Sequence, residues 1–160
     1  MAKPFLYDLY DWISLKTLRH IINIWPPLLG AGIKIEMISD DFRRIKVALK
    51  LKWSNKNYVG THYGGSIYSM TDPFYMLMLI KNLGDNYIVW DKAAYIDFKK
   101  PGRNTLHASF VFSAEELEDI RKKADENEKY VFDKHVDVFD EQGDVVASIV
   151  KTLYVRRKRP

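Results

Sequence analysis

Between Asn57 and Ile80 the chain runs through 24 residues that carry a single formal charge, the carboxylate of Asp72. From about Gly64 to Leu83 this stretch places Met70, Phe74, Tyr75, Met76, Leu77, Met78, Leu79 and Ile80 on nearly every side of a helix, and a helix apolar all round has to be buried. In 160 residues there is room for one core, so the remaining chain must supply the cover. The flanking sequence suits that task. Ile33 to Met37 and Ile45 to Trp53 alternate apolar and charged residues, the period-two pattern of half-buried strands, with Asp40-Asp41 at the turn between them. After Gly84-Asp85-Asn86 come four more strand-like runs, at about 87–99, 104–113, 130–140 and 144–156, the last two joined by Asp140-Glu141-Gln142-Gly143. Residues 114–128 form a charged insertion that reads as a short exposed helix between two strands. Residues 5–24 have apolar groups at helical spacing until Trp25-Pro26-Pro27 stops the run, and this helix is expected to cover an edge or open face of a sheet. The expected fold is α+β, one domain over 1–160, with an N-terminal helix at 5–24, a core at 30–156 and a basic tail at 157–160. A predominantly antiparallel sheet wrapped around one central helix is the simplest way to bury that helix.

Composition narrows the function classes. Hydrophobic residues make up 47% and charged residues 29%, the mixture of a soluble globular protein. The net charge of +4 points toward polyanions, but Arg156, Arg157, Lys158 and Arg159 equal the whole excess of 25 Lys plus Arg over 21 Asp plus Glu. No nucleic-acid partner is expected for the body of the domain. There is no cysteine, which excludes disulfides, thiolate metal sites and cysteine nucleophiles. His20, His62, His107 and His135 form no pair at helical spacing, so no metal site is expected. Asp8, Asp11, Lys16 and Arg19 interrupt the aromatic N-terminus, which therefore reads as neither signal peptide nor membrane span, and cytoplasmic residence is the expectation.

Asp72 is the residue that needs explaining, because a lone carboxylate in an apolar element requires a partner, a raised pKa or a task. Gly64-Gly65 opens the same element, where unpaired backbone N–H groups can hold a carbonyl oxygen and bare glycines admit a close approach. Acid and N–H cradle together suggest acyl-group chemistry. Bland readings stand beside these. Pro73 makes Asp72 a candidate helix cap, Gly64-Gly65 a candidate tight turn and His62 a loop residue. Asn57 reads as a residue that bonds the backbone of the glycine loop. Tyr68, Met70, Phe74, Tyr75, Met76 and Met78 read as core first and as acyl-pocket wall second.

Asn57, Gly64-Gly65 and Asp72 resemble the Asn, His-Gly-Gly and Leu-Ala-Asp pattern of hot-dog-fold acyl-CoA thioesterases of the phenylacetate-pathway type, with seven residues from Asn57 to Gly64 and eight from Gly64 to Asp72. Tyr95-Ile96-Asp97-Phe98-Lys99-Lys100-Pro101-Gly102 resembles that family's strand ending in a basic residue and Pro. With Trp25-Pro26-Pro27-Leu28-Leu29-Gly30-Ala31-Gly32 the chain is most similar to a functionally undescribed branch of the superfamily. The resemblance implies a hot-dog fold with an extra N-terminal helix, a homodimer or dimer of dimers, an acyl-CoA or related thioester as substrate, and no cofactor beyond the substrate's own coenzyme A. It assigns the Gly64 N–H, beside Gly65 and Asn57, to polarise the carbonyl and Asp72 to act as general base or nucleophile, with His62 and Asp91 in support. Lys99, Lys100 and Arg103 could meet the phosphates of coenzyme A or form a solvated basic turn. Tyr68, Phe74 and Tyr75 are candidates for the substrate wall. The sequence departs from the pattern in three places. Tyr63 replaces the motif His, Pro73 follows Asp72, and Asp91 stands where relatives often carry Ser or Thr. In a continuous helix, eight residues separate Gly64 from Asp72 by roughly 12 Å, which would require the two to come from different subunits. A non-catalytic hot-dog module binding fatty-acyl or CoA ligands is the alternative function.

Overall fold

The computed structural model describes residues 14–159. Six strands, β1 (Ile33–Ile38), β2 (Arg44–Leu49), β3 (Tyr87–Phe98), β4 (Leu106–Val111), β5 (Tyr130–Phe139) and β6 (Val145–Arg157), form one sheet in the order β1-β2-β4-β5-β6-β3. Every neighbouring pair is antiparallel. Five α-helices accompany the sheet among the described residues: α1 (Leu15–Ile24), α2 (Pro26–Ala31), α3 (Gly64–Ser69), α4 (Phe74–Leu83) and α5 (Ala114–Glu126). Alternation in the strands translates directly into burial. Ile45, Val47 and Leu49 of β2, Ala108 and Phe110 of β4, and Ile149, Leu153 and Val155 of β6 face one core.

Against this core lies α4, and the expected single helix from Gly64 to Leu83 is in fact two. Pro73 has no N–H to give the carbonyl of Ser69, so α3 closes in tight turns, Thr71 N–H on Tyr68 O (2.9 Å) and Asp72 N–H on Ser69 O (3.3 Å), before α4 restarts. Only one face of α4 is fully buried. Phe74 and Tyr75 meet Phe110 at ring distances of 5.1 Å, and Tyr75 meets Phe112 edge-on at 5.3 Å. Met76, Leu77 and Ile80 remain half-buried, so the all-round burial read from the apolar run holds for half of the helix.

The strand expected over 45–53 ends at Leu49, because the buried Asn55 takes the next backbone groups out of the ladder. Its Oδ1 accepts from Lys52 N–H (2.7 Å), and its Nδ2 donates to Lys50 O (2.8 Å) and Ala31 O (3.0 Å). Gly32, at φ +83°, is required beside it, since a Cβ there would stand 2.3 Å from Asn55 Nδ2. The insertion between β4 and β5 is the helix α5, capped by the reciprocal Ser113–Glu116 box, but it is amphipathic rather than simply exposed. Leu117, Ile120 and Ala124 are buried, and Arg121 donates to Asn82 O and Leu83 O at the end of α4.

The two edges of the sheet are treated differently. At the β1 edge, α1 supplies hydrogen-bonding side chains: Asn23 Nδ2 donates to Ile35 O (3.1 Å), Asn23 Oδ1 accepts from Ile35 N–H (2.6 Å) and Arg19 donates to Glu36 O (2.6 Å). The N-terminal helix therefore covers an edge, as expected; residues 5–13 of its predicted span lie outside the described residues. The other edge, β3, carries the exposed Trp90, Tyr95 and Phe98. Replacing Asn23 by Ala strips both partners from Ile35, and urea unfolding is expected to show a loss of about 2 kcal/mol.

Candidate functional site

Asp72 sits at the break between α3 and α4, where the chain turns and its side chain is half-exposed (49%). It does not cap α4: the N-cap position is Pro73 and no side-chain cap bond forms. Instead, Asp72 Oδ1 accepts two bonds, from Lys151 Nζ at 2.8 Å and from the Tyr68 hydroxyl at 3.2 Å. Tyr68, four residues earlier and one turn away, is placed for this by the helical rise of α3.

Lys151, which the sequence reading missed, stands on the inward face of β6 between the buried Ile149 and Leu153, and its side chain is 1% exposed. Its ammonium also lies 3.4 Å from Asp91 Oδ2 and 5.4 Å above the Tyr68 ring. The alternation of β6 carried the signal: Ile149, Lys151, Leu153 and Val155 form one face, and a lysine in that row must find a counter-charge inside. Burial pulls the Lys151 pKa down, but the bond to Asp72 and the charges of Asp91 and Asp72 outweigh it and the net shift is upward. The amine stays protonated. Burial raises the Asp91 pKa, opposed by Lys151 and reinforced by Asp72. Asp91 Oδ1 is buried with no hydrogen-bond partner among the described residues. Burial and the neighbouring Asp72 likewise raise the Tyr68 phenol against the pull of Lys151.

These groups line a cleft of about 370 Å³, with Met76 of α4 and Trp90, Ala93 and Ala94 of β3 as further walls. A bulge in β3 at Lys92, between Asp91 opposite Leu153 and Ala93 opposite Thr152, sets the small Ala94 across from Lys151. The cleft does not include Gly64, Gly65, Phe74 or Tyr75. Phe74 and Tyr75, read as core first and as substrate wall second, lie in the core and do not line this cleft, with the Tyr75 hydroxyl donating to His135 O (2.8 Å), because the restart at Pro73 turns them toward β4. Met76 and Tyr68 take their place at the cleft.

The glycine pair opens α3 some distance away. Its cap, Tyr63, makes no side-chain bond to the helix, and the first amide bonds inside the turn are those of Ser66 and Ile67 to Tyr63 O. The Phe98 ring lies over Gly64, where a Cβ would come within 3.1 Å, and the Tyr63 ring lies over Gly65, where it would come within 2.3 Å. Asn57 shapes the preceding loop rather than the glycines. Its Oδ1 accepts from Val59 and Thr61 N–H, and its Nδ2 donates to Thr61 Oγ1 and His62 O. His62 is buried (3%): its Nε2 donates to Asn104 O (2.8 Å) and its N–H to Gly102 O (2.9 Å). This ties the loop to the turn of Lys99, Lys100 and Arg103. Lys99 is paired with Asp97 and Lys100 with Asp140 (2.7 Å) and Asp144 (2.6 Å), while Arg103 is exposed. The two lysines already have counter-charges within the chain.

Residues 16–155 match the family model described as "Domain of unknown function (DUF4442)". The chain belongs to the DUF4442 family. No functionally curated protein matches its sequence. Among solved structures, PA5026 from Pseudomonas aeruginosa, a "Protein of Unknown Function" and "Probable Thioesterase", superimposes with a TM-score of 0.80 at 18% identity over 91% of this chain and 97% of its own. The thioesterase HI1161 from Haemophilus influenzae gives 0.64 at 14% over 91% and 92%. The E. coli PaaI protein from the phenylacetic acid degradation operon gives 0.60 at 15% over 96% and 96%. The DUF4442 chain therefore has the hot-dog fold that the resemblance implied. Among its described residues no helix is long and apolar enough to cross a membrane.

Burial holds the His62 pKa below its usual 6.5, against the bond to Asn104 O. The unfolded imidazole then binds a proton at a pH where the folded one does not, so stability is full above about pH 6.5 and falls on acidification. His62→Gln is expected to be less stable at neutral pH but to show a shallower loss of Tm between about pH 7 and about pH 5. An equal slope would place the acid sensitivity elsewhere.

Proposed function

We propose that the protein hydrolyses thioesters of the acyl-CoA class at a site shared between two copies of the chain. The observation that carries this reading is Asp72, the one charge of a long apolar stretch, held at a helix break on the floor of a cleft instead of serving as a cap. Among the described residues both of its side-chain bonds fall on Oδ1, which leaves Oδ2 as the acceptor for a water. That water attacks the thioester carbonyl carbon while Asp72 takes its proton. The carbonyl oxygen, negative in the intermediate, is held by the N–H of Gly64, with Gly65 beside it, and collapse breaks the C–S bond. The proton then passes to the departing thiolate, and the acid and the thiol leave. A carboxylate that attacks directly, as nucleophile, is the variant of the same scheme.

The spacing along β3 favours a shared site. Gly64 lies against Phe98, whereas Lys151, the partner of Asp72, is in register with Ala94. Four strand residues span roughly 13 Å, and this separation supports drawing the two groups of one site from different copies of the chain. Antiparallel pairing of two β3 edges about a two-fold axis near Ile96 would set Phe98 opposite Ala94 of the partner subunit, covering the exposed Tyr95 and the half-buried Leu77 and Ile80. The turn of Lys99, Lys100 and Arg103 borders the glycine loop and would meet the coenzyme A phosphates mainly through Arg103, its lysines being paired already. Because Asp72 is already engaged by the Lys151 ammonium at 2.8 Å, a module that binds acyl-CoA without hydrolysing it is the second reading.

Two measurements test these readings. Thiol release from a panel of acyl-CoAs should be lowered roughly 1,000-fold by Asp72→Asn. A wild type that binds acyl-CoA and releases no thiol would favour the binding module. Mixing Asp72→Asn with Gly64→Val subunits, each inactive alone, should restore about a quarter of wild-type activity, since every heterodimer regains one intact site. No recovery would place both groups in one chain.

A further inference from the structure

The geometry points to Lys151 as the positioning residue of the site: its buried ammonium, gripped between Asp72, Asp91 and the Tyr68 ring, holds Oδ1 of Asp72 so that Oδ2 is the oxygen presented to water. This rests on the hydrolase reading above and assigns a residue that reading does not use. Lys151 is 1% exposed and 2.8 Å from Asp72, and it is one of the largest fully buried side chains of the molecule. A lysine in such a place is costly to desolvate and would be replaced by an apolar residue without loss if packing were its only role. Its neighbours on the same face of β6, Ile149 and Leu153, fill equivalent positions with hydrocarbon.

The four groups divide the work by position. Tyr68 and Lys151 converge on Oδ1 from α3 and from β6, which fixes the carboxylate plane from two elements. Asp91 stands behind the ammonium on β3, 3.4 Å away, and balances the charge that Asp72 alone would have to carry. Asp72 and Asp91 line the same small cleft and would otherwise face each other there as like charges. The ammonium between them is the counter-charge that both carboxylates contact. Lys92, also at the cleft wall, is exposed and is not in the grip.

The double variant Lys151→Ala/Asp91→Asn tests this, because it removes the buried ammonium and the carboxylate behind it together and leaves no uncompensated charge in the core. Its kcat for the best acyl-CoA of the panel should fall roughly 100-fold with KM changed by less than about threefold. The space left by Cγ to Nζ matches n-propylammonium, and millimolar n-propylammonium should restore at least about tenfold of the loss, whereas 1-propanol should restore none. A kcat within about threefold of wild type, a loss lying wholly in KM, or equal rescue by the alcohol would each overturn the assignment. The Lys151 ammonium should also give a protected ¹H–¹⁵N signal that is lost in Asp72→Asn; a signal unchanged by that substitution overturns the grip independently of turnover. If wild type hydrolyses no acyl-CoA, the hydrolase reading has failed, and the ammonium signal alone decides whether Lys151 holds Asp72.

Discussion

A charge buried in a hydrophobic core must be matched there, and the ammonium of Lys151 imposes that condition on three separate elements. The lysine belongs to β6, its counter-charges to the α3–α4 break and to β3, and the aromatic ring beneath it to α3. If the break or the bulge moved, the ion would lose a partner and cost several kcal/mol. The helix interruption at Pro73 is therefore the arrangement that lets a carboxylate leave the helix axis and reach an inward-facing residue of the sheet. The same turn directs Phe74 and Tyr75 to the core and leaves Tyr68 and Met76 for the cleft.

The sheet has a closed side and an open side, and the site lies on the open one. Along β1, Asn23 and Arg19 of α1 satisfy backbone groups that an edge strand would otherwise present to solvent. Along β3 the exposed residues include three aromatics, Trp90, Tyr95 and Phe98, and two of them border the features on which chemistry would depend: Trp90 the cleft of Asp72, Phe98 the backbone of Gly64. The proposed shared site is built on this layout. The strand whose outer side is unpaired among the described residues is also the strand that runs from the residue over Gly64 to the residue opposite Lys151.

Period-two alternation and turn residues made the strands legible, because a half-buried strand has to show one apolar face. The errors of extent have local causes. The second strand was read as too long because Lys50 to Trp53 continue the alternation, while the side chain of Asn55, invisible to periodicity, takes their backbone groups. The all-round apolar run was read as one buried helix because hydropathy does not say which residues a break turns outward. Asp72 stood out by its isolation among uncharged residues. Lys151 did not, since lysines also occupy the exposed positions of alternating strands and only strand register decides which face a given one takes.

The sequence by itself determined the fold class and the placement of an unusual acid beside a glycine pair, because both are local properties: the period of hydrophobicity, and a charge where none else occurs. Only the tertiary structure decided that Asp72 is bound by a lysine 79 residues away, that His62 is a buried strut and that Lys99 and Lys100 already have partners. Contacts of that kind depend on which strand lies beside which and in what register, and those follow from packing the whole chain rather than from any segment of it.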